Sequence, residues 1–139
     1  MTNLEQYLEF LAAHHQGALI TLKRDGRPQS SNVVYGCDGS RVRVSLTADR
    51  AKTRNAARDP RVSLHVSPDF GSYVVAEGDA VLTAVAAAPD DAVVEELVDL
   101  YRSLAGEHPD WADFRTAMVQ ERRQVLSFVV THAYGRLPG

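Results

Sequence analysis

The sequence predicts a mainly β fold with added helices, an α+β chain organised as a small six-stranded antiparallel barrel. Three observations lead there. Six runs rich in β-branched and alternating apolar residues lie at 18–22, 29–35, 41–46, 62–66, 73–85 and 124–134. Most are joined by short turns, which make hairpins and not parallel crossovers. Helical patterns fall only at the start, between the third and fourth strands, and before the sixth, so helices decorate a sheet that closes on itself. With 139 residues, 45% of them apolar and 24% charged, the chain holds material for one core, and residues 1–139 are expected to form one domain.

The chain opens on a helix. Thr2 or Asn3 is placed to cap it and Glu5 and Gln6 to complete a capping box, while Leu4, Leu8 and Leu11 recur at helical spacing up to a stop near Gly17. Ile20 and Thr21 mark the first strand, and Lys23, Arg24, Asp25 and Gly26 supply its turn. Pro28 reopens an extended run for the second strand. Cys37, Asp38 and Gly39 form a hairpin tip, and Val42, Val44 and Leu46 alternate along the third strand. The segment TADRAKTRNAARDPR, residues 47–61, has no large apolar residue and reads as a helix of two turns, opened by Asp49 and closed before Pro60. After the fourth strand, residues 67–72 form a loop. The fifth run is long enough for one bent strand with Gly78 at a bulge or bend. Pro89, Asp90 and Asp91 open a helix carrying Val94, Leu97, Tyr101 and Leu104 on one face and ending at Gly106. Asp110 caps another, with Trp111, Phe114 and Met118 at helical spacing, and a last strand rich in Val and Phe runs to Tyr134.

Composition removes several function classes. Fifteen Lys and Arg against eighteen Asp and Glu give a formal charge of -3, so no general affinity for nucleic acid or an anionic membrane is expected. No apolar run approaches the roughly 20 residues of a membrane helix, and MTNLEQYLEF lacks the basic start and apolar stretch of a secretory signal. A cytoplasmic protein is expected. A single cysteine, Cys37, forms no internal disulfide, in keeping with a reducing compartment. His14, His15, His65, His108 and His132 show no zinc-ligand spacing, so no metal is expected. Ser30 and Ser31 lack a nucleophile elbow, Cys37 lacks a basic partner, and no Rossmann or Walker phosphate loop occurs. No catalytic side chain is assigned.

One segment stands apart by charge. Arg50, Lys52, Arg54, Arg58 and Arg61 against Asp49 and Asp59 give it +3, leaving -6 for the rest of the chain. If Asp49 caps the helix, free N–H groups near Ala51, Lys52 and Thr53 converge with a lysine and a hydroxyl, a combination suited to phosphate, and Asn55 adds a neutral donor one turn on. The alternative is a solvated basic surface. Aromatic residues are absent from 47–64, which disfavours stacking against single-stranded nucleic acid and favours a small phosphorylated cofactor.

Taken in order, GRPQSSNVVY, RVRVSL and TADRAKTRNAARDPRVSL resemble the pyridoxamine 5'-phosphate oxidase-like split-barrel superfamily. YVVAEGDA, the acidic helix through LYRSLAGEHPDW, and THAYG resemble its actinobacterial branch that uses coenzyme F420, a 5-deazaflavin. The resemblance spans nearly the whole chain, and KTRNAARDPRV is its most specific part. It implies an FMN-binding type of split barrel, a homodimer, and a cofactor in a groove between the two barrels. It implies that Arg50, Lys52, Thr53, Arg54 and Asn55 hold the cofactor phosphate. It also implies that Gln29, Ser31, Asn32 and Val33 line the tricycle, with Ser45 and Thr47 on the adjacent strand. Strand alternation puts Gln29, Ser31 and Val33 on one face and Asn32 on the other.

The function implied is hydride transfer from the reduced deazaflavin to an activated double bond of a small molecule, with the last proton taken from solvent. Alternatives are an oxidase or reductase using FMN, whose ribityl phosphate Lys52 and Thr53 would serve equally, and a non-enzymatic cofactor- or haem-binding protein. Arg54, Arg58 and Arg61 lean toward the deazaflavin with its anionic tail. Pyridoxamine phosphate is not the expected substrate, since His132 and Arg136 are the only later candidates for a second phosphate site. A dimer is also expected because strand faces bearing Val62, Leu64 and Val66, and Val125, Phe128 and Val130, exceed what two helices can cover.

Overall fold

The computed structural model describes residues 2–139. Helix α1 (Asn3–Ala12) starts from a complete capping box: Thr2 Oγ1 accepts from the Glu5 N–H at 3.1 Å, and the Glu5 carboxylate accepts from the Thr2 N–H at 3.2 Å. The helix ends well before Gly17, which already lies in strand β1 (Gln16–Leu22). The expected turn, with Gly26 at φ +85°, leads into β2 (Pro28–Val34). The hairpin tip of the sequence reading is itself partly strand: β3 (Gly36–Asp38) turns at Gly39 into β4 (Arg41–Thr47). Then follow α2 (Ala51–Arg58), β5 (Arg61–Asp69), β6 (Ser72–Asp79), β7 (Val81–Leu82), α3 (Ala92–Ala105), α4 (Trp111–Gln120), β8 (Arg123–Val129) and β9 (His132–Arg136).

All pairings are antiparallel, in a five-stranded sheet ordered β2-β1-β5-β6-β9 and a four-stranded sheet ordered β3-β4-β8-β7. The mainly β class with added helices therefore holds, but two of the six runs are not single strands. The run 73–85 breaks at Ala80, leaving β6 in the larger sheet and β7 in the smaller, and the run 124–134 breaks between β8 and β9 in the same way. These crossings join the sheets at a corner. Of the two expectations for Gly78 the bulge does not hold, since its register with Val62 is regular; it lies beside the bend, at a point of close approach where a Cβ would meet the Val129 carbonyl and lie 2.8 Å from the Phe128 ring. The loop expected at 67–72 is a tight turn, because the Asp69 carboxylate accepts from the Gly71 and Ser72 N–H groups at 2.8 and 2.9 Å.

The core lies between the sheets. Leu19, Val42, Val44, Leu46, Val62, Leu64, Val66, Val74, Leu126 and Phe128 face one another there and are buried. Val62, Leu64, Val66, Phe128 and Val130 thus pack inside one chain and are not free for a partner, while Val125 packs with α3 and α4. Helix α1, through Phe10 and Leu11, covers the core against β3, β6 and β9, and α2, through Ala56, covers it against β1 and β7. Helices α3 and α4 cover the outer face of the smaller sheet, where Arg41–Glu96 (3.3 Å) and Arg43–Asp99 (3.0 Å) ion pairs tie β4 to α3. The outer face of the larger sheet carries Ala18, Ile20, His65, Tyr73, Val75 and Tyr134, and Tyr134 is 46% exposed. No helix among the described residues is long and apolar enough to cross a membrane.

Candidate functional site

Strand β2 ends the larger sheet, so its outer edge has no ladder partner, and the gap beside it faces β4 and the α3–α4 pair. A cavity of about 400 Å3 opens there. Asn32, Val33 and Val34 of β2, Ser45 of β4, Lys52 of α2 and Arg123 of β8 form one side of it. Leu97, Leu100, Tyr101, Leu104, Phe114 and Met118 form a helical wall on the other. The volume falls within the span of small-molecule sites, as does the pairing of an apolar wall with a few polar groups. A second cavity, about 680 Å3, shares Arg123 with the first and continues past Thr47, Arg50, Ala51 and Arg122.

The polar groups gather at the start of α2. Residue Asp49 does not cap this helix; Arg50 occupies the cap position and makes no side-chain capping bond. The Asp49 carboxyl is instead held below its ordinary range, first by a hydrogen bond to the Thr47 side chain. The Ala51 and Lys52 N–H groups are accordingly left without acceptors among the described residues. Lys52 makes no ion pair there, and its pKa is lowered by burial and then by the charges of Arg50 and Arg123. A half-buried ammonium facing two guanidinium groups, beside two free N–H groups, is a site whose electrostatics call for an anion. Arg123 is held in place by Glu121 (2.9 Å) and reaches Ser45 Oγ at 3.4 Å.

Residues 4–136 match the family model described as pyridoxamine 5'-phosphate oxidase. The chain belongs to the pyridoxamine 5'-phosphate oxidase family. Solved structures share its fold. A conserved hypothetical protein of Mycobacterium tuberculosis aligns at a TM-score of 0.71 and 20% identity, over 100% of this chain and 90% of that one. An F420 reductase aligns at 0.64 and 22%, over 91% and 94%. A haem storage protein of Vibrio cholerae aligns at 0.68 and 12%, over 96% and 92%.

Within this family fold the eleven candidate residues separate into four places. Asn32, Val33, Ser45 and Lys52 line the groove, and Thr47 and Arg50 line the cavity that continues from it. Gln29, Arg54 and Asn55 lie on the far side of α2, around a depression shared with Lys23 and Arg58. There Asn55 is buried and its amide donates to Gln29 Oε1 at 2.6 Å and Thr21 Oγ1 at 3.2 Å, which removes it from the face of Lys52. Thr53 is buried too. Its hydroxyl donates to the Thr47 carbonyl at 2.8 Å, locking the turn into α2 and not presenting a free donor to the groove. The Ser31 hydroxyl is buried with no partner. Alternation along β2 is as expected, but it is Asn32 and Val34, on the exposed face, that meet the cavity alongside Val33.

Sequence reasoning missed Arg123, Val34 and the whole helical wall. Leu97, Tyr101, Leu104, Phe114 and Met118 were legible only as apolar positions at helical spacing, a pattern that core and groove share. Arg58 and Arg61 do not reach toward the groove: Arg58 donates to the Leu22 carbonyl at 2.8 Å, and Arg61 pairs with Asp59 at 2.8 Å.

Proposed function

We propose that this chain is an F420-dependent oxidoreductase that transfers a hydride from the reduced deazaflavin to an activated double bond of an electron-poor small molecule. The observation that carries the reading is the half-buried, unpaired Lys52 at the open end of α2, set on the rim of a groove with an apolar helical wall. The donor set fits a phosphorylated, ring-bearing cofactor: Lys52 and the Ala51 and Lys52 N–H groups for a phosphate, with Asn32 and Ser45 as neutral donors. When bound, the deazaflavin supplies the hydride. The chain's own residues bind and orient, and the wall of α3 and α4 excludes water from the reacting face.

Lys52 serves the phosphate of FMN equally well, so an FMN-dependent oxidase or reductase is the second reading. Around the adjoining cavity Arg50, Arg122 and Arg123 outnumber Asp49 and Glu121, a balance that favours a cofactor whose tail carries further carboxylates. The proposal includes a homodimer, in which the uncovered face of the larger sheet meets a second copy beside the groove. Titrating the protein with F420 and with FMN side by side, followed by fluorescence, tests the cofactor. Tighter binding of F420 is expected; tighter FMN selects the second reading, and a Soret band in the protein as purified selects haem.

A further inference from the structure

Tyr101 is the only protic side chain on the helical wall of the groove; its neighbours there are Leu97, Leu100, Leu104, Phe114 and Met118. Its position on α3 follows from the spacing Leu97, Leu100, Tyr101, Leu104, which puts all four on one face. The ring is held from several sides. Phe114 lies 5.1 Å away between centroids, His108 5.2 Å and Trp111 5.7 Å, the last two edge-on. Two of these holders are themselves fixed: His108 Nδ1 accepts from the Asp110 N–H at 2.9 Å, and the Trp111 indole N–H donates to Glu107 at 2.8 Å. Arg102, which also donates to Glu107, stacks its guanidinium 4.9 Å over the Trp111 ring. This clamp costs Tyr101 its freedom before any ligand arrives. Yet its hydroxyl has no hydrogen-bond partner among the described residues and is not sealed from water, in a residue that is only half-buried.

We infer that Tyr101 is a specificity-determining residue of the groove, donating a hydrogen bond to an acceptor oxygen of the substrate and so selecting double bonds conjugated to a carbonyl. This rests on the hydride-transfer reading above for the reaction, but its binding chemistry stands on the groove alone. A ligand that displaces water from the wall without offering an acceptor leaves the phenol unsatisfied, whereas a conjugated carbonyl satisfies it and becomes more electron-poor at the β-carbon. The phenol keeps its proton throughout.

The test uses Tyr101→Phe, which keeps the ring and its packing, and a matched pair of ligands: benzylideneacetone and the hydrocarbon in which a methylene group replaces its oxygen. Both are titrated calorimetrically into the full-length wild type and variant without cofactor. The ketone is expected to bind the variant roughly threefold to tenfold more weakly, the loss of one neutral hydrogen bond, with the hydrocarbon unchanged. The infrared carbonyl stretch of bound ketone is expected to lie lower in the wild type than in the variant. Equal ketone affinity in both proteins, an equal loss for ketone and hydrocarbon, or an unshifted stretch overturns the assignment. F420 is titrated into the wild type as a separate measurement. Failure of the wild type to bind F420 overturns the hydride-transfer reading, while the ketone pair still decides Tyr101.

Discussion

Lys52 and Asn55 lie three residues apart on α2 and do opposite jobs. Lys52 has no counter-charge, so Lys52→Ala is expected to weaken cofactor binding about tenfold to a hundredfold, the loss of one charge-assisted contact of roughly 1.5–3 kcal/mol. Fluorescence titration reads the affinity; urea unfolding is expected to show no loss of stability, because repulsion from Arg50 and Arg123 is relieved. Asn55→Ala is the converse. It strips donors from Gln29 and Thr21 and an acceptor from Arg58, which lies at 3.1 Å, and is expected to cost about 1–3 kcal/mol of stability with cofactor affinity intact. Wild-type stability in Asn55→Ala would mean that its network contributes nothing. Cys37 offers a check by pH. Burial, and then the charge of Asp38, push its thiol up to about 11. Between an ordinary thiol value of about 8.5 and that value, the unfolded chain releases a proton that the folded chain keeps. Stability should therefore fall as pH rises through this window, and Cys37→Ser should flatten that part of the urea-midpoint profile; an unchanged slope would remove Cys37 as its cause.

At the scale of elements, what the sequence discloses is what is decided locally. Helices α1, α3 and α4 were legible because their caps are contained within four residues: Thr2 with Glu5, Asp91 with Val94, Asp110 with Asp113. The hairpin β1–β2 was legible for the same reason. The breaks inside the long runs were not, because remote backbone sets them. The Ala80 N–H donates to the Pro60 carbonyl at 2.6 Å, and the Thr131 N–H to Glu77 at 2.9 Å, both far away in the chain. Gly78 carried a signal that left bulge and bend open, since a glycine that admits another strand and one that makes a bulge look alike in sequence. The corner gives it a sharper expectation. Gly78→Ala drives a methyl group into the Val129 carbonyl and the Phe128 ring, where backbone cannot yield, and should cost on the order of 1–3 kcal/mol in urea unfolding. A neutral substitution would show that β6 and β8 can part at the corner without loss. The charge of α2 announced an anion site, whereas the α3–α4 wall stayed hidden behind an apolar periodicity that a core produces equally well.

For the whole molecule, the question is what meets the uncovered sheet. Helix α1 packs against β3, β6 and β9, α2 against β1 and β7, and α3 and α4 take the outer face of the smaller sheet, so each helix is spoken for. On the outer face of the larger sheet the register aligns Ala18, His65, Val75 and Tyr134 across four adjacent strands. Tyr73 joins the row through its ring, 5.5 Å from that of His65. Val75 is only 6% exposed although it points outward, which means that its neighbours already bury it, while Tyr134 stays 46% exposed at the far side of the row. At the near side, Asn32 and Val34 border both the groove and a depression shared with His65, so a body docked on this face would also close the groove along β2. A second copy is the expected occupant, for Ala18, Tyr73, Val75 and Tyr134 carry no charge and the Glu77 and Arg136 that flank them on this face are opposite in sign, so no oppositely charged partner is demanded. Sedimentation equilibrium at micromolar concentration should give a dimer. Tyr134→Arg places a charge on the exposed end of the row without touching the inner core, and should give a monomer with weakened F420 binding. A wild-type protein that sediments as a monomer while binding the cofactor at full affinity would show that one chain closes its own groove, and would leave the aromatic row to some other use.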